Sequence, residues 1–308
     1  MDLRQMRQFV AVAEELHFGK AARRLNMAQP PLSQAIRRLE VDLGVELFDR
    51  SRRAVELTDA GRVFLEEAKR TLEQAELARK LTQRAAEKVT EIRVGFIGPA
   101  LYRTLPGMLV KYREAFPHVE VRLLEGTSLV QIDRMLQGDL DIGFVTALTE
   151  HISGLETMVV ERTSSMAAIP ASWDLAQKAS VRLAELAARP FILPPQKYEP
   201  HFSETLAMFK GVGAAPRVTQ ESSQMNTTIS LVGAGLGCSI MTSSAALTAA
   251  RNVKFLPIED AEPRRRWELA MIWSADHLNE HAADFVGLAK DYLATHPELL
   301  NPDLDKPT

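Results

Sequence analysis

Cysteine is all but missing from this 308-residue chain. Cys238 stands alone, so no internal disulfide can form and no cysteine-rich metal site can be built, which fits a reducing compartment. In its setting "GLGCSI" the thiol reads as a small buried apolar group. No stretch is apolar for long enough to make a membrane-spanning helix, which needs roughly 18 or more residues. The one early apolar run, Phe9 to Ala13, is too short for a signal-peptide core and meets Glu14 and Glu15 at once. A cytoplasmic protein is therefore expected. A large charge of one sign is missing too: the net value of −3 gives no global sign of a nucleic-acid partner, so any such sign must be local. No Ser or Cys nucleophile sits in a recognisable elbow, so neither enzyme activity nor a cofactor is expected.

What is present is organised in three stretches. The length suggests two or three domains at about 100–200 residues each. From Leu3 to Leu16, apolar residues recur every three or four positions, the mark of an amphipathic helix. A short helical piece follows from Gly19, then "NMAQPPLSQ" at 26–34, with Met27-Ala28 as a tight turn. Proline is tolerated in the first turn of a helix, where its missing N–H has no intrahelical partner to lose. Pro30 and Pro31 therefore open a third helix, whose face of Leu32, Ile36, Leu39 and Leu43 ends at Gly44.

Helix, short helix, turn, helix is the plan of a helix-turn-helix DNA reader. Gln29, Ser33 and Gln34 lie where such a helix meets base edges, and Pro30 and Pro31 offer a slim apolar tip for thymine methyls or sugar. Between Lys20 and Arg53 eight basic residues face four acidic ones, a local excess within an acidic chain. Arg50, Arg52 and Arg53, in the place of a wing, can reach phosphates or a narrow minor groove, and Arg37 adds charge on the third helix. From Thr58 or Asp59 to about Val89 a three/four rhythm runs almost without breakers. One helix of about 28 residues, roughly 42 Å long, is expected there, with a seam narrow enough to need a second copy of the chain.

At "EIRVGFIG" the pattern changes to apolar runs alternating with helical ones. Strands are expected near 92–97, 119–124, 141–145, 191–193, 237–241 and 253–257. Helices are expected near 103–115, 129–137, 202–211, 224–234 and 277–295, and the sheet should be largely parallel. "GAGLG" at 233–237 follows a helix and precedes a strand, so it reads as a cap and turn rather than a dinucleotide loop. "HLNEH", His277 to His281, has the spacing of some zinc sites but no clear third ligand, and reads as a solvated helix start with no metal.

The motifs A-A-x-x-L, Q-P-P-L-S, I-x-x-L-E, L-G-x-x-L-F-x-R and L-T-x-A-G occur in order within residues 21–61. In them the chain resembles LysR-type transcriptional regulators, along its whole length. The resemblance implies a winged helix-turn-helix over 1–58 and a linker helix over 59–89. It implies an effector-binding domain over 90–308 made of two α/β lobes like those of periplasmic binding proteins, lobe I about 90–161 with 267–295 and lobe II about 162–266. It also implies a regulator, usually a tetramer built from dimers, whose small-molecule inducer alters its grip on promoter DNA.

Carried over by position, DNA contacts fall on Gln29, Pro30, Pro31, Ser33, Gln34 and Arg53. Gln34 stands where close relatives commonly have Arg. The effector positions fall on Gly98, Pro99, Ala100, Thr127, Ser128, His201 and Phe202, with Phe202 as an apolar wall. The resemblance is strongest to the branch controlling aromatic-acid and small-carboxylate metabolism, although Pro99 replaces a common hydroxyl and Thr146 an Arg. The rival readings are a transporter's solute receptor, opposed by the basic helix-turn-helix, and a metal-dependent hydrolase through "HLNEH".

Overall fold

The computed structural model describes residues 1–49, 55–86, 90–146, 152–196, 201–248, 250–260 and 267–301, with only the backbone described at 84–86 and 201. Two compact units result, Met1–Val89 and Thr90–Thr308.

In the first unit, α1 (Leu3–Glu15) starts on a reciprocal cap. The Asp2 carboxylate accepts from Gln5 N at 2.8 Å, and the Gln5 side chain accepts from Asp2 N at 2.9 Å. After α2 (Phe18–Arg24) the chain turns and α3 (Gln29–Leu43) begins, with both prolines in its first turn and no side-chain cap. Gly44 ends α3 in the left-handed region at φ 71°. Strands β1 (Phe48–Asp49) and β2 (Glu56–Leu57) pair antiparallel, and α4 (Asp59–Ala86) follows as one helix of 28 residues. Leu32, Ile36 and Leu39 are fully buried, and Phe9 packs on Phe48 and Phe64 at ring distances of 5.3 and 4.9 Å.

Several residues of the N-terminal motifs have structural roles. Buried Glu40 accepts from Leu47 N and Phe48 N at 3.0 and 3.3 Å, satisfying the backbone where β1 begins. Thr58 Oγ1 accepts from Gly61 N at 2.9 Å and donates to Glu46 O at 2.8 Å, capping α4 and tying it to the turn before β1. A Cβ at Gly61 would lie 2.1 Å from the Leu47 carbonyl oxygen, so only glycine fits there.

The second unit runs β3 (Glu91–Phe96), α5 (Thr104–Ala115), β4 (Glu120–Glu125), α6 (Ser128–Leu136), β5 (Ile142–Thr146) and β6 (Leu155–Thr163). It continues with β7 (Ser165–Pro170), α7 (Leu183–Ala187), β8 (Pro190–Leu193), α8 (His201–Gly211), β9 (Arg217–Glu221) and α9 (Met225–Gly233). β10 (Ser239–Thr242), β11 (Val253–Pro257), β12 (Trp267–Ser274) and α10 (Glu280–Thr295) complete it. One lobe is built on a five-stranded sheet of order β4-β3-β5-β12-β6. Tyr112 of α5 and Phe285 of α10, 5.0 Å apart, fill one core with Phe144, while Met135 of α6 belongs to another with Val145 and Ile272. The other lobe holds the sheets β10-β7-β11 and β8-β9, joined by a bridge between Phe191 and Cys238.

The expectation of a largely parallel sheet is corrected. β3 is parallel to β4 and β5, but β12 is antiparallel to both β5 and β6, and β7 is antiparallel to β10 and β11. The reason lies in the chain path. β6 passes directly into β7 at Ser164, and the return strand β12 inserts between β5 and β6, running against both. The Cys238 thiol is buried, and burial pushes its pKa up to about 12. α10 starts later than expected, at Glu280, capped by Asn279 Oδ1 at 2.9 Å from Ala282 N. Among the described residues no helix is long and apolar enough to cross a membrane.

Candidate functional site

The DNA-reading positions form an exposed face. Gln29, Pro30, Pro31, Gln34 and Arg37 are exposed on α3 and Ser33 is half-buried, opposite the buried Leu32, Ile36 and Leu39. Arg50, Arg52 and Arg53 lie outside the described residues. Arg24, counted in the basic excess, binds Glu14 at 2.8 Å and also reaches Glu15. Burial raises the Glu14 pKa, but hydrogen bonds and charge from Arg24 and Lys69 outweigh it, so the net shift is down.

The second unit carries a cleft of about 460 Å³ lined from both lobes. From the five-stranded lobe come Gly98 and Pro99, which open a 3₁₀ turn, and Thr127 and Ser128 at the start of α6. Thr127 Oγ1 caps α6 by accepting from Val130 N at 3.4 Å, and Ser128 Oγ accepts from Thr146 N at 3.2 Å. Both hydroxyls keep a proton to donate.

Of the positions carried over by the resemblance, Gly98, Pro99, Thr127 and Ser128 line this cleft. Ala100 does not. It is fully buried in the lobe core, because the 3₁₀ turn rotates it inward behind Pro99. Phe202 is likewise corrected: it packs on the core beside Phe191 and Phe209, and Thr205, three residues on, takes the cleft position. His201 opens α8, where only the backbone is described.

The far wall was not foreseen. It comes from Ser222, Ser223, Gln224 and Met225 before and at the start of α9, from Thr228, and from β10. The Gln224 side chain makes no capping bond, so the first N–H groups of α9, which begins beside the cleft, have no side-chain cap. Ser222 Oγ and Thr228 Oγ1 both donate to Gln224 O, at 3.2 and 3.1 Å. The only signal in the sequence was the polar run "ESSQMNTT" ahead of a helix. Glu125 is the one ionisable lining side chain among the described residues. Two helix N-termini thus open on one cleft, and each brings unsatisfied N–H groups and the positive end of a helix dipole. Such ends attract a carboxylate.

Two contacts span the lobes near it. Tyr102, after the 3₁₀ turn, donates to Asn226 Oδ1 at 2.8 Å and packs against the core under α9. Trp267, at the start of β12, lines the cleft and donates through Nε1 to Ser165 Oγ at 2.7 Å. His277 and His281 lie apart from the cleft. His281 in the first turn of α10 is half-buried with its ring 6.3 Å from that of His118, and its carbonyl accepts from Tyr112.

Comparison with known proteins agrees with both units. Residues 3–62 match the bacterial regulatory helix-turn-helix of the lysR family, and residues 85–294 match the LysR substrate binding domain. The regulator AlsR of Bacillus subtilis (strain 168) is 36% identical, covering 88% of this chain and 90% of its own length. ShiR of Corynebacterium glutamicum (strain R) is 37% identical, covering 88% and 92%. The crystal structure of full-length CbnR with its target DNA aligns at a TM-score of 0.61 and 30% identity, over 94% of this chain and 99% of that one. With both of its units matched, the chain belongs to the LysR family of bacterial transcriptional regulators.

Proposed function

We propose that this regulator binds promoter DNA as a homo-oligomer and responds to a small carboxylate or aromatic acid held between its two C-terminal lobes. The observation that carries the effector reading is the pair of helix N-termini, α6 and α9, opening on one hydroxyl-lined cleft. A carboxylate placed there meets free N–H groups and dipoles of the right sign, while Ile97, Met225 and Met241 cover an apolar body. A ligand that fits one lobe arrangement better shifts the population toward it and so changes the spacing of the DNA-reading heads.

The exposed face of α3 supports DNA reading, as does the relative solved on its target DNA. Pairing along α4 is supported by length. α4 runs about 42 Å at 1.5 Å per residue, whereas α1, which packs on it, runs about 20 Å, so much of α4 extends past that partner.

The test is a thermal-shift screen of the full chain with small aromatic and aliphatic carboxylates. Ligand at a hundredfold excess over Kd stabilises by about 2.7 kcal/mol. A shift that is lost in Thr127→Ala or Ser128→Ala supports the cleft, and a shift unchanged in both moves the ligand elsewhere. On DNA, Gln29→Ala and Ser33→Ala should weaken specific binding more than non-specific binding, and equal losses would remove the base-reading role. Arg53→Ala should lower the salt slope by about one if it holds one phosphate.

A further inference from the structure

Next to the cleft lies a smaller space of about 30 Å³, which shares with it the residues Ile97, Pro99, Thr146, Thr242 and Trp267. It sits where the chain passes between lobes, since Thr163 ends β6 and is the register partner of Trp267 at the start of β12. Its other walls include Glu161, Thr163 and Ser244.

The chemistry of this space differs from that of the cleft. Thr163 is only 4% exposed, and its Oγ1 has no hydrogen-bond partner in the chain. A buried hydroxyl left so is costly and calls for a partner. Glu161, also buried, accepts a short hydrogen bond from Thr104 Oγ1, and Thr242 Oγ1 and Ser244 Oγ bond each other at 3.0 Å. The volume suits one water-sized group, which needs roughly 10–15 Å³ of such space and two to four polar partners. The buried Glu161 carboxylate, unlike the exposed Glu125 at the cleft, opposes entry of a second anion and favours a group that can donate.

We propose that this space is a subsite for a single hydroxyl group, received by Thr163 and carried on a ligand whose carboxylate sits at the helix N-termini of the cleft. The effector class is then a hydroxycarboxylate. This rests on the reading of the cleft as a carboxylate site.

The experiment compares matched probes on the full chain by calorimetry: succinate with malate, and benzoate with 3-hydroxybenzoate. Wild type should bind the hydroxylated member of at least one pair about five- to tenfold tighter, as one neutral hydrogen bond allows. Thr163→Val, close in shape, should erase that preference and leave the plain acid's affinity unchanged, while Thr163→Ser should keep it. Plain and hydroxylated acids binding wild type equally would overturn the subsite and leave the carboxylate reading standing. A preference that survives in Thr163→Val would place the hydroxyl elsewhere and equally overturn it. If none of the four acids binds, the carboxylate reading fails and the subsite falls with it.

Discussion

The two lobes bring the same device to the cleft by different means. In the five-stranded lobe the start of α6 is tied down: Thr127 caps the helix and Ser128 accepts from the backbone of β5. In the other lobe α9 begins at Gln224 without a side-chain cap. A capped helix start has already used part of its donor capacity, and an uncapped one still holds it. The first lobe therefore supplies a rigid frame, and the second supplies the donors whose demand a ligand can meet.

The rigidity has a source in the ion pair of Arg93 and Asp141. The Asp141 carboxylate accepts from Arg93 Nε at 3.2 Å, from Arg93 N at 2.8 Å and from Asn279 Nδ2 at 3.0 Å, joining β3, the approach to β5 and the start of α10. Asp141→Ala should cost about 3–5 kcal/mol in urea unfolding, since it strands a largely buried guanidinium. A loss below about 1 kcal/mol would deny that the frame depends on this joint.

Thr127→Ala should cost about 1 kcal/mol through the lost cap, whereas Gln224→Ala removes no capping bond and should change stability by less than about 0.5 kcal/mol. Equal costs would erase the contrast. Gln224→Ser sharpens it further: a new cap should stabilise α9 by a few tenths to about 1 kcal/mol while weakening carboxylate binding, because the cap competes for the same N–H groups.

Cys238 offers a pH test confined to the second lobe. Its folded pKa is raised to about 12 by burial, so above the usual thiol range the unfolded chain loses the proton while the folded chain keeps it. The thiol's contribution is complete below about pH 8 and is lost as pH climbs toward 12. Cys238→Ala should flatten the alkaline fall of unfolding free energy relative to wild type, and parallel curves would refute a folded thiol held protonated. A modest effect is expected at Tyr102→Phe, which removes one exposed inter-lobe hydrogen bond worth about 0.5–1 kcal/mol. Hydrogen exchange over residues 222–228 would report it.

How much of this was legible in the sequence follows the same contrast. Pro30 and Pro31 sit at the start of α3 as their missing N–H groups require, and "GAGLG" is the end of α9 followed by a turn with Gly235 at φ 81°. Thr127 and Ser128 were reached through the family resemblance, which matches them as positions following the second strand. The second lobe's wall was not, because β9, which leads to it, is exposed at every position and so carries no alternation to announce a strand. Phe202, carried over by the resemblance as an apolar wall, packs on the core instead, because α8 turns it to the same side as the buried Phe209 two helical turns on. The antiparallel β12 was invisible because its partners β5 and β6 are set by a return path more than a hundred residues long.

That return path gives the domain a simple description. Thr163 and Trp267 face each other on adjacent antiparallel strands, so β6 and β12 form a hairpin. Its loop is not a turn but a whole folded lobe with cores of its own. The lobe hangs from its host like a door on two adjacent hinges, and the backbone of both hinges meets at one pair of residues. A disturbance at that pair is leveraged across the full width of the door.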